Sequence, residues 1–224
     1  MNANVTRESE AETALARSQV YALLAKLFRA EPDGELLARL RDLHTLQALS
    51  ELGLTLGPGF HDLPVDKLME DLAIEYTQLF VGPGPHLSPH ESVHTESGEI
   101  RDGELWGPQT VKVKAFIEAA GLSYADDFHE MPDHLSAEFE FMAKLTAHEA
   151  ERWQAGDEEN ALGSLQIQRR FFDEHINQWV PRFCQRILDR NESEFYGKIA
   201  ELARAVLSYD DGAMRDSALA CTAD

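Results

Sequence analysis

The sequence predicts an all-α protein built as a single bundle of about eight to ten helices. Apolar residues recur at spacings of three and four wherever a period can be read, and proline or glycine separates the periodic segments. No segment alternates with period two for long enough to be a strand. The chain of 224 residues is long enough to bury a substantial core. We therefore expect one helical domain over residues 1–209 and a flexible tail over residues 210–224.

Two helices are predicted in the N-terminal quarter. Ser9 and Glu12 have the spacing of a capping box, which would open the first helix. Four apolar residues share one face of this helix: Val20, Leu24, Leu27 and Phe28. Pro32 and Gly34 should end it. The apolar spacing then continues in a second helix, at Leu36, Leu40 and Leu43.

The clearest amphipathic helix covers residues 64–80. Its apolar stripe consists of Val65, Leu68, Met69, Leu72, Tyr76, Leu79 and Phe80. Residues 81–107 follow as a long loop rich in proline and glycine, and such a loop inside a compact domain is usually functional or disordered. The next helix contains VKVKAFIEAAG and should end at Gly121, which suits a C-terminal cap.

Three more helices are predicted in the C-terminal half. The first runs for about six turns over residues 132–153 and has Pro132 in its first turn. The second covers residues 162–179 and should stop near Pro181, and the third covers residues 195–206. Residues 125–134 combine acids, a proline and few apolar side chains, so they could form a hinge between two helical lobes.

The charge of the chain argues against a nucleic-acid partner and is compatible with a basic one, although a charge of this sign more often serves solubility alone. Forty acidic residues against twenty basic ones give a formal net charge of −20, which repels nucleic acid and attracts a basic peptide. No stretch approaches the roughly 18 apolar residues of a membrane span, and the N-terminus lacks the pattern of a secretory signal. We therefore expect a cytoplasmic protein without stable membrane insertion. Cys184 and Cys221 should be free thiols.

Residues 90–94 have the His-Glu-x-x-His spacing of zinc hydrolases. On a helix this spacing places His90 and His94 on one side of a turn, and Glu91 could act as the general base. Val93 is the only apolar residue between positions 88 and 98 that could anchor such a helix, and Ile100 stands where one subclass has a third histidine. A zinc-dependent hydrolase therefore stays an alternative function, and no metal ligand is assigned.

Three stretches together carry a family resemblance: EYTQLFVGPGPHLSPHESVH, MPDHLSAEFEFMAKL and FFDEHINQWVPRF. In this order and spacing they resemble the TorD/DmsD family of cytoplasmic chaperones that mature molybdenum-cofactor oxidoreductases, with NarJ as a more distant relation. The resemblance covers residues 15–205 and is most diagnostic at residues 132–142. The family commonly has Tyr-Glu-Ser-Val-Tyr at residues 90–94, so two histidines in place of two tyrosines account for the zinc signature.

The resemblance implies a non-catalytic, all-helical protein that binds the twin-arginine signal peptide and the catalytic subunit of a molybdopterin oxidoreductase. Such a chaperone assists cofactor insertion and prevents premature export. The implied peptide-binding residues are Tyr76, Leu79, Phe80, Pro85, Glu91, Ser92, Asp133 and His134. The two acids would face the arginines, and the apolar residues would receive the rest of the peptide. The resemblance also implies a monomer or a domain-swapped dimer, and no cofactor apart from weak guanine-nucleotide binding.

Several of these residues also have a structural interpretation. Leu79 and Phe80 complete the apolar stripe of their helix and could belong to the core. Asp133 could cap the helix that follows it, with His134 as its solvated neighbour. A generic helical adaptor that binds another peptide is a further alternative function.

Overall fold

The computed structural model describes residues 3–95, 107–124, 128–190 and 193–221, and within them it contains helices and no strand. The prediction of an all-α fold is confirmed. Two π-helical segments, Thr77–Val81 and Phe172–Ile176, continue the α-helices that precede them. The α-helices are α1 (Ala3–Arg29), α2 (Gly34–Leu40), α3 (Leu43–Glu51), α4 (Pro58–Asp62), α5 (Val65–Tyr76), α6 (Glu91–Thr95), α7 (Pro108–Ala119), α8 (Leu135–Gln154), α9 (Glu158–Phe171), α10 (Asn177–Arg190) and α11 (Glu194–Cys221).

The chain divides into two compact units. Unit 1 comprises the described residues within 1–25, 90–179 and 213–224, and unit 2 comprises those within 26–89 and 180–212. Helices α1, α10 and α11 each contribute residues to both units. The described part of residues 125–134, where a hinge between lobes is expected from the sequence, lies inside unit 1 and not at a boundary between units.

Helix α8 is the most buried helix of unit 1. Its buried residues include Phe139 and Met142 as well as two acids, Glu138 and Glu149. The helix begins at Leu135, so the prediction that Pro132 lies in its first turn is wrong. Pro132 instead belongs to a turn that is closed by a hydrogen bond from the His134 N–H to the Met131 carbonyl (3.0 Å).

The core of unit 2 is built around aromatic rings. Phe80 packs edge-on against Tyr76 and Tyr196, with ring centroids 5.1 and 5.2 Å apart, and Phe28 packs against Phe183 at 6.0 Å. The π-helical segment after Tyr76 ends where the Gly82 N–H donates to the Thr77 carbonyl (2.6 Å). This bond joins residues five positions apart, one more than the hydrogen bond of an α turn. Leu79 and Phe80 are both buried within this segment.

The structure corrects the helix boundary that was predicted near Pro181. The helix that was expected to stop near Pro181 continues through α10 to Arg190. Proline removes one N–H group from the helical ladder. Val180 and Phe183 are nevertheless fully buried, and their burial outweighs that loss.

The two ends of the chain are more helical than expected. Helix α1 already begins at Ala3, so Ser9 is an interior residue and its carbonyl accepts a hydrogen bond from Thr13 Oγ1 (2.9 Å). Helix α11 continues past Asp210 to Cys221, because Asp210 and Met214 are both buried. The helical part of the chain therefore extends beyond residue 209, where the tail was expected to begin.

The predicted C-terminal end of α7 is confirmed, and the structure also shows where this helix begins. Pro108 occupies the first turn, after Gly107. Gly121 has φ +81°, the left-handed conformation that favours glycine after the end of a helix. No helix in the described ranges is long and apolar enough to cross a membrane.

Candidate functional site

Residues 90–92 and 131–134 meet in unit 1 and form the candidate site. His90 and His134 pair as an isolated antiparallel bridge. The Glu91 N–H donates to the Asp133 carbonyl (3.0 Å), and the Ser92 N–H donates to Asp133 Oδ2 (2.9 Å). Asp133 therefore ties the start of α6 to the segment before α8, through both its backbone and its side chain.

His134 caps α8. It has extended backbone angles, and its Nδ1 accepts a hydrogen bond from the Ser136 N–H (3.1 Å). The expectation that Asp133 caps this helix while His134 is solvated is wrong, since both side chains are buried. The His134 ring packs edge-on against the His90 ring at a centroid distance of 4.9 Å.

Three buried acids lie in or next to this site. Glu91 Oε2 lies 2.8 Å from His175 Nδ1, and Glu138 Oε2 accepts a hydrogen bond from the indole N–H of Trp179 (3.1 Å). Burial raises the pKa of both carboxyl groups, most strongly that of Glu138, because desolvation disfavours the charged form. Asp133 Oδ1 and Glu138 Oε1 have no hydrogen-bond partner among the described residues. Burial lowers the pKa of His90, although the negative charges of Asp133 and Glu130 act to raise it.

The predicted peptide-binding residues are divided between the two units. Glu91, Ser92, Asp133 and His134 belong to unit 1, and all four are buried. In this structure the Glu91 side chain contacts His175, the Asp133 side chain accepts a hydrogen bond from the Ser92 N–H, and both acids are buried. Their predicted contact with arginine side chains of a peptide stays a prediction.

The other four predicted residues belong to unit 2. Tyr76, Leu79 and Phe80 are buried, as the core interpretation expects, and Tyr76 Oη donates to the Phe28 carbonyl (3.2 Å). Pro85 is exposed. Val81, which the sequence analysis did not single out, is 63% exposed directly after the buried Leu79 and Phe80. Its place at the end of the apolar stripe is the signal that could have identified it.

The His-Glu-x-x-His spacing does not build the expected zinc site. Glu91 is engaged by His175, and the His94 ring stacks on Trp179 at a centroid distance of 5.0 Å. His90 packs instead against His134. The sequence gives no sign of His175 as the partner of Glu91, because the two residues are 84 positions apart.

Asp133→Ala is expected to lower the free energy of unfolding by about 1–3 kcal/mol, because it leaves the buried Ser92 N–H without its acceptor. Asp133→Asn keeps an acceptor oxygen and should lose less. Urea unfolding followed by circular dichroism measures both variants. Asp62→Ala, at an exposed aspartate, is the control and should stay within about 0.5 kcal/mol of wild type. An Asp133→Ala variant as stable as this control would contradict the structural role.

Comparison with known proteins adds independent findings. The family model described as "Nitrate reductase delta subunit" matches residues 45–185. The chaperone protein TorD of Shewanella loihica is 27% identical, over 87% of this chain and 91% of the relative. The TorD of Photobacterium profundum is 25% identical, over 87% and 92%. A crystal structure from Archaeoglobus fulgidus, described as a candidate redox enzyme maturation protein, has 22% identity and a TM-score of 0.47 over 86% of this chain and 92% of that one.

The family match and the relatives named as chaperones assign this chain to a class of chaperones and not of enzymes. The zinc hydrolase alternative is therefore wrong. The chain belongs to the nitrate reductase delta subunit family. It is similar to the TorD chaperones over most of the length of this chain.

Proposed function

We propose that this protein is a cytoplasmic chaperone that binds the twin-arginine signal peptide and the apo-form of a molybdopterin oxidoreductase. It would hold the enzyme back from export while the cofactor is inserted. The observation that carries the proposal is the family match over residues 45–185, which includes all eight predicted peptide-binding residues. The relatives named as TorD chaperones support the same function.

The charge of the chain supports a basic ligand. A net charge of −20 produces a negative potential that draws in a peptide whose N-terminal part carries arginines. Such attraction increases the association rate and orients the peptide more than it adds affinity. Because salt screens it over about 8–10 Å, peptide binding should weaken as ionic strength rises.

The apolar part of the peptide requires exposed apolar side chains. In unit 2 the exposed Val81 and Pro85 supply such side chains. Leu79 and Phe80, which precede Val81, belong to the core. Because Leu79 and Phe80 are buried, we assign them the task of fixing the position of Val81. The proposed contact surface of unit 2 is therefore the segment 81–85.

A labelled twin-arginine signal peptide should bind the purified chain with a dissociation constant on the order of 1 μM, as measured by fluorescence anisotropy. Val81→Asp is expected to weaken binding about tenfold, which corresponds to about 1.4 kcal/mol, because a charged side chain replaces an apolar contact. Its melting temperature should stay near that of wild type. Leu43→Asp, at a residue of unit 2 that is 80% exposed, is the matched control and should bind normally.

The result that would overturn the assigned surface is normal binding by both Val81→Asp and a Pro85→Ser variant. The function itself is tested by the peptide sequence. Replacing both arginines by glutamine should slow association and weaken binding, whereas a generic adaptor would bind both peptides equally. Purification from cells should also recover a large molybdopterin oxidoreductase subunit with its signal peptide attached. Weak guanine-nucleotide binding and a domain-swapped dimer stay predictions.

A further inference from the structure

The rings of His90 and His134 pack edge-on in unit 1. The two residues belong to different segments, which pair through their backbones. The bridge between His90 and His134 fixes their positions, and the hydrogen bond from the Glu91 N–H to the Asp133 carbonyl (3.0 Å) reinforces it. The ring centroids are 4.9 Å apart. Imidazole nitrogen is a preferred ligand of zinc and of neighbouring transition metals.

A carboxylate completes this cluster. Glu130 is exposed and lies four residues before His134. One ligand atom from each of His90, Glu130 and His134 lies within 4.8 Å of the others. Among the side chains that the structure describes, no other group of three histidine, cysteine or acidic residues meets this criterion. We propose that His90, Glu130 and His134 form a binding site for a divalent transition-metal ion of the zinc class.

The three ligand atoms need only move slightly closer together to coordinate one ion. Zinc binds nitrogen and oxygen at about 2.0–2.2 Å, so the ligands of a tetrahedral ion lie roughly 3.3 Å from one another. Glu130 is exposed and can move towards the two rings, which the bridge already holds. Two histidines and one carboxylate leave a fourth position for water or an external ligand.

Ser136 supplies a second contact that orients one of the ligands. His134 Nδ1 lies 2.7 Å from Ser136 Oγ, so Nε2 is the nitrogen that would coordinate the metal. A metal-bound imidazole carries its proton on the other nitrogen and donates it to a nearby oxygen. Metal binding would therefore replace the cap bond from the Ser136 N–H by a bond from Nδ1–H to Ser136 Oγ.

This inference goes beyond the proposed function, and it differs from the zinc hypothesis suggested by the His-Glu-x-x-His spacing. That hypothesis used His94 as the second histidine, whereas the cluster uses His134 from another segment. From the sequence alone, no residue is assigned as a metal ligand. Metal binding is measured without any peptide, so its failure would leave the chaperone proposal untouched.

Titration of the tag-free, chelator-treated chain with Co²⁺ tests the proposal. We expect one equivalent to bind and to give the visible absorption bands of low-coordinate Co²⁺, which one equivalent of Zn²⁺ should abolish. Glu130→Gln and His134→Asn should each weaken metal binding by roughly 100-fold or more, beyond the 10–100-fold typical of residues that only orient a ligand. Asparagine retains a capping oxygen for α8, so His134→Asn should stay folded.

His94→Gln is the matched control, and it should retain full metal affinity. The proposal is overturned if Co²⁺ produces no such bands, or if affinity depends on His94 and not on Glu130. Should His134→Asn fail to fold, Glu130→Gln decides the question, because Glu130 is exposed and lies outside any helix.

Discussion

Arg17→Ala is expected to lower the free energy of unfolding by about 3–5 kcal/mol, the typical effect of removing one partner of a buried ion pair. Arg17 Nη1 lies 3.0 Å from Glu149 Oε2, and both side chains are buried. Gln168 closes the network, since it accepts a bond from Arg17 Nη2 (2.8 Å) and donates one to Glu149 Oε2 (2.9 Å). Without Arg17 the carboxylate stays buried and loses its countercharge.

Urea unfolding at about pH 7 measures this loss. Arg7→Ala is the matched control, because Arg7 and Glu158 form a longer pair (3.5 Å) with both side chains exposed. Exposed pairs contribute about 0–1 kcal/mol, so this control should be close to wild type. The combined Arg17→Met and Glu149→Leu variant should recover much of the lost stability, because no charge is left buried. Equal losses from Arg17→Ala and Arg7→Ala would contradict the role of the network.

The loss from Arg17→Ala should depend on pH. Burial raises the pKa of Glu149, and Arg17 opposes that shift, so removing Arg17 should raise this pKa further. A carboxyl group with a raised pKa in the folded state favours folding while it is protonated, and this contribution is lost as the pH rises through the folded pKa. The variant should therefore be closer to wild type at about pH 5 than at about pH 8.

Trp179→Ala is the second large prediction, with an expected loss of about 3–5 kcal/mol. The indole is fully buried and stacks on the His94 ring. Its N–H also donates to Glu138 Oε2, the hydrogen bond that opposes the rise in the pKa of Glu138. Alanine would leave a cavity and would also remove this donor from a buried carboxyl group.

Two variants separate these contributions. Trp179→Phe keeps most of the volume and loses the donor, so it should lose about 1–3 kcal/mol, and more at about pH 8 than at about pH 5. Glu138→Gln removes the charge that burial disfavours and should make stability less dependent on pH above the ordinary carboxyl value of 4.5. Chemical unfolding at the two pH values measures both. A Glu138→Gln variant with the same pH dependence as wild type would argue against the raised pKa.

Local signals predicted the helices well where packing agreed with them. The stripe from Val65 to Phe80 predicted α5, and five of its seven apolar residues are buried, whereas Val65 and Met69 are half-buried. Gly121 predicted the end of α7. The same rules failed at Pro181 and Asp210. At both positions the helix continues because neighbouring side chains are buried. Pro181 lacks an N–H group and Asp210 is polar, but neither residue ends its helix.

The sequence indicated residues 90–92 and 133–134 as candidates but not the contacts that they make with one another. The motif of residues 132–135 indicated that Asp133 and His134 matter. It did not reveal that the first binds the Ser92 N–H, 41 positions away, or that the second caps α8. Val81 directly follows the apolar stripe, which marks it as a candidate, but only the structure shows that it is 63% exposed.

The sequence by itself determined the all-helical class, the net charge of −20 and the family resemblance, because periodicity, charge and short motifs are properties of the chain. Only the tertiary structure decided which acids are buried and what they contact. Glu91 meets His175 across 84 positions, and Glu138 meets Trp179 across 41. Such pairs depend on how helices pack, and packing gives a carboxyl group its partner and its pKa.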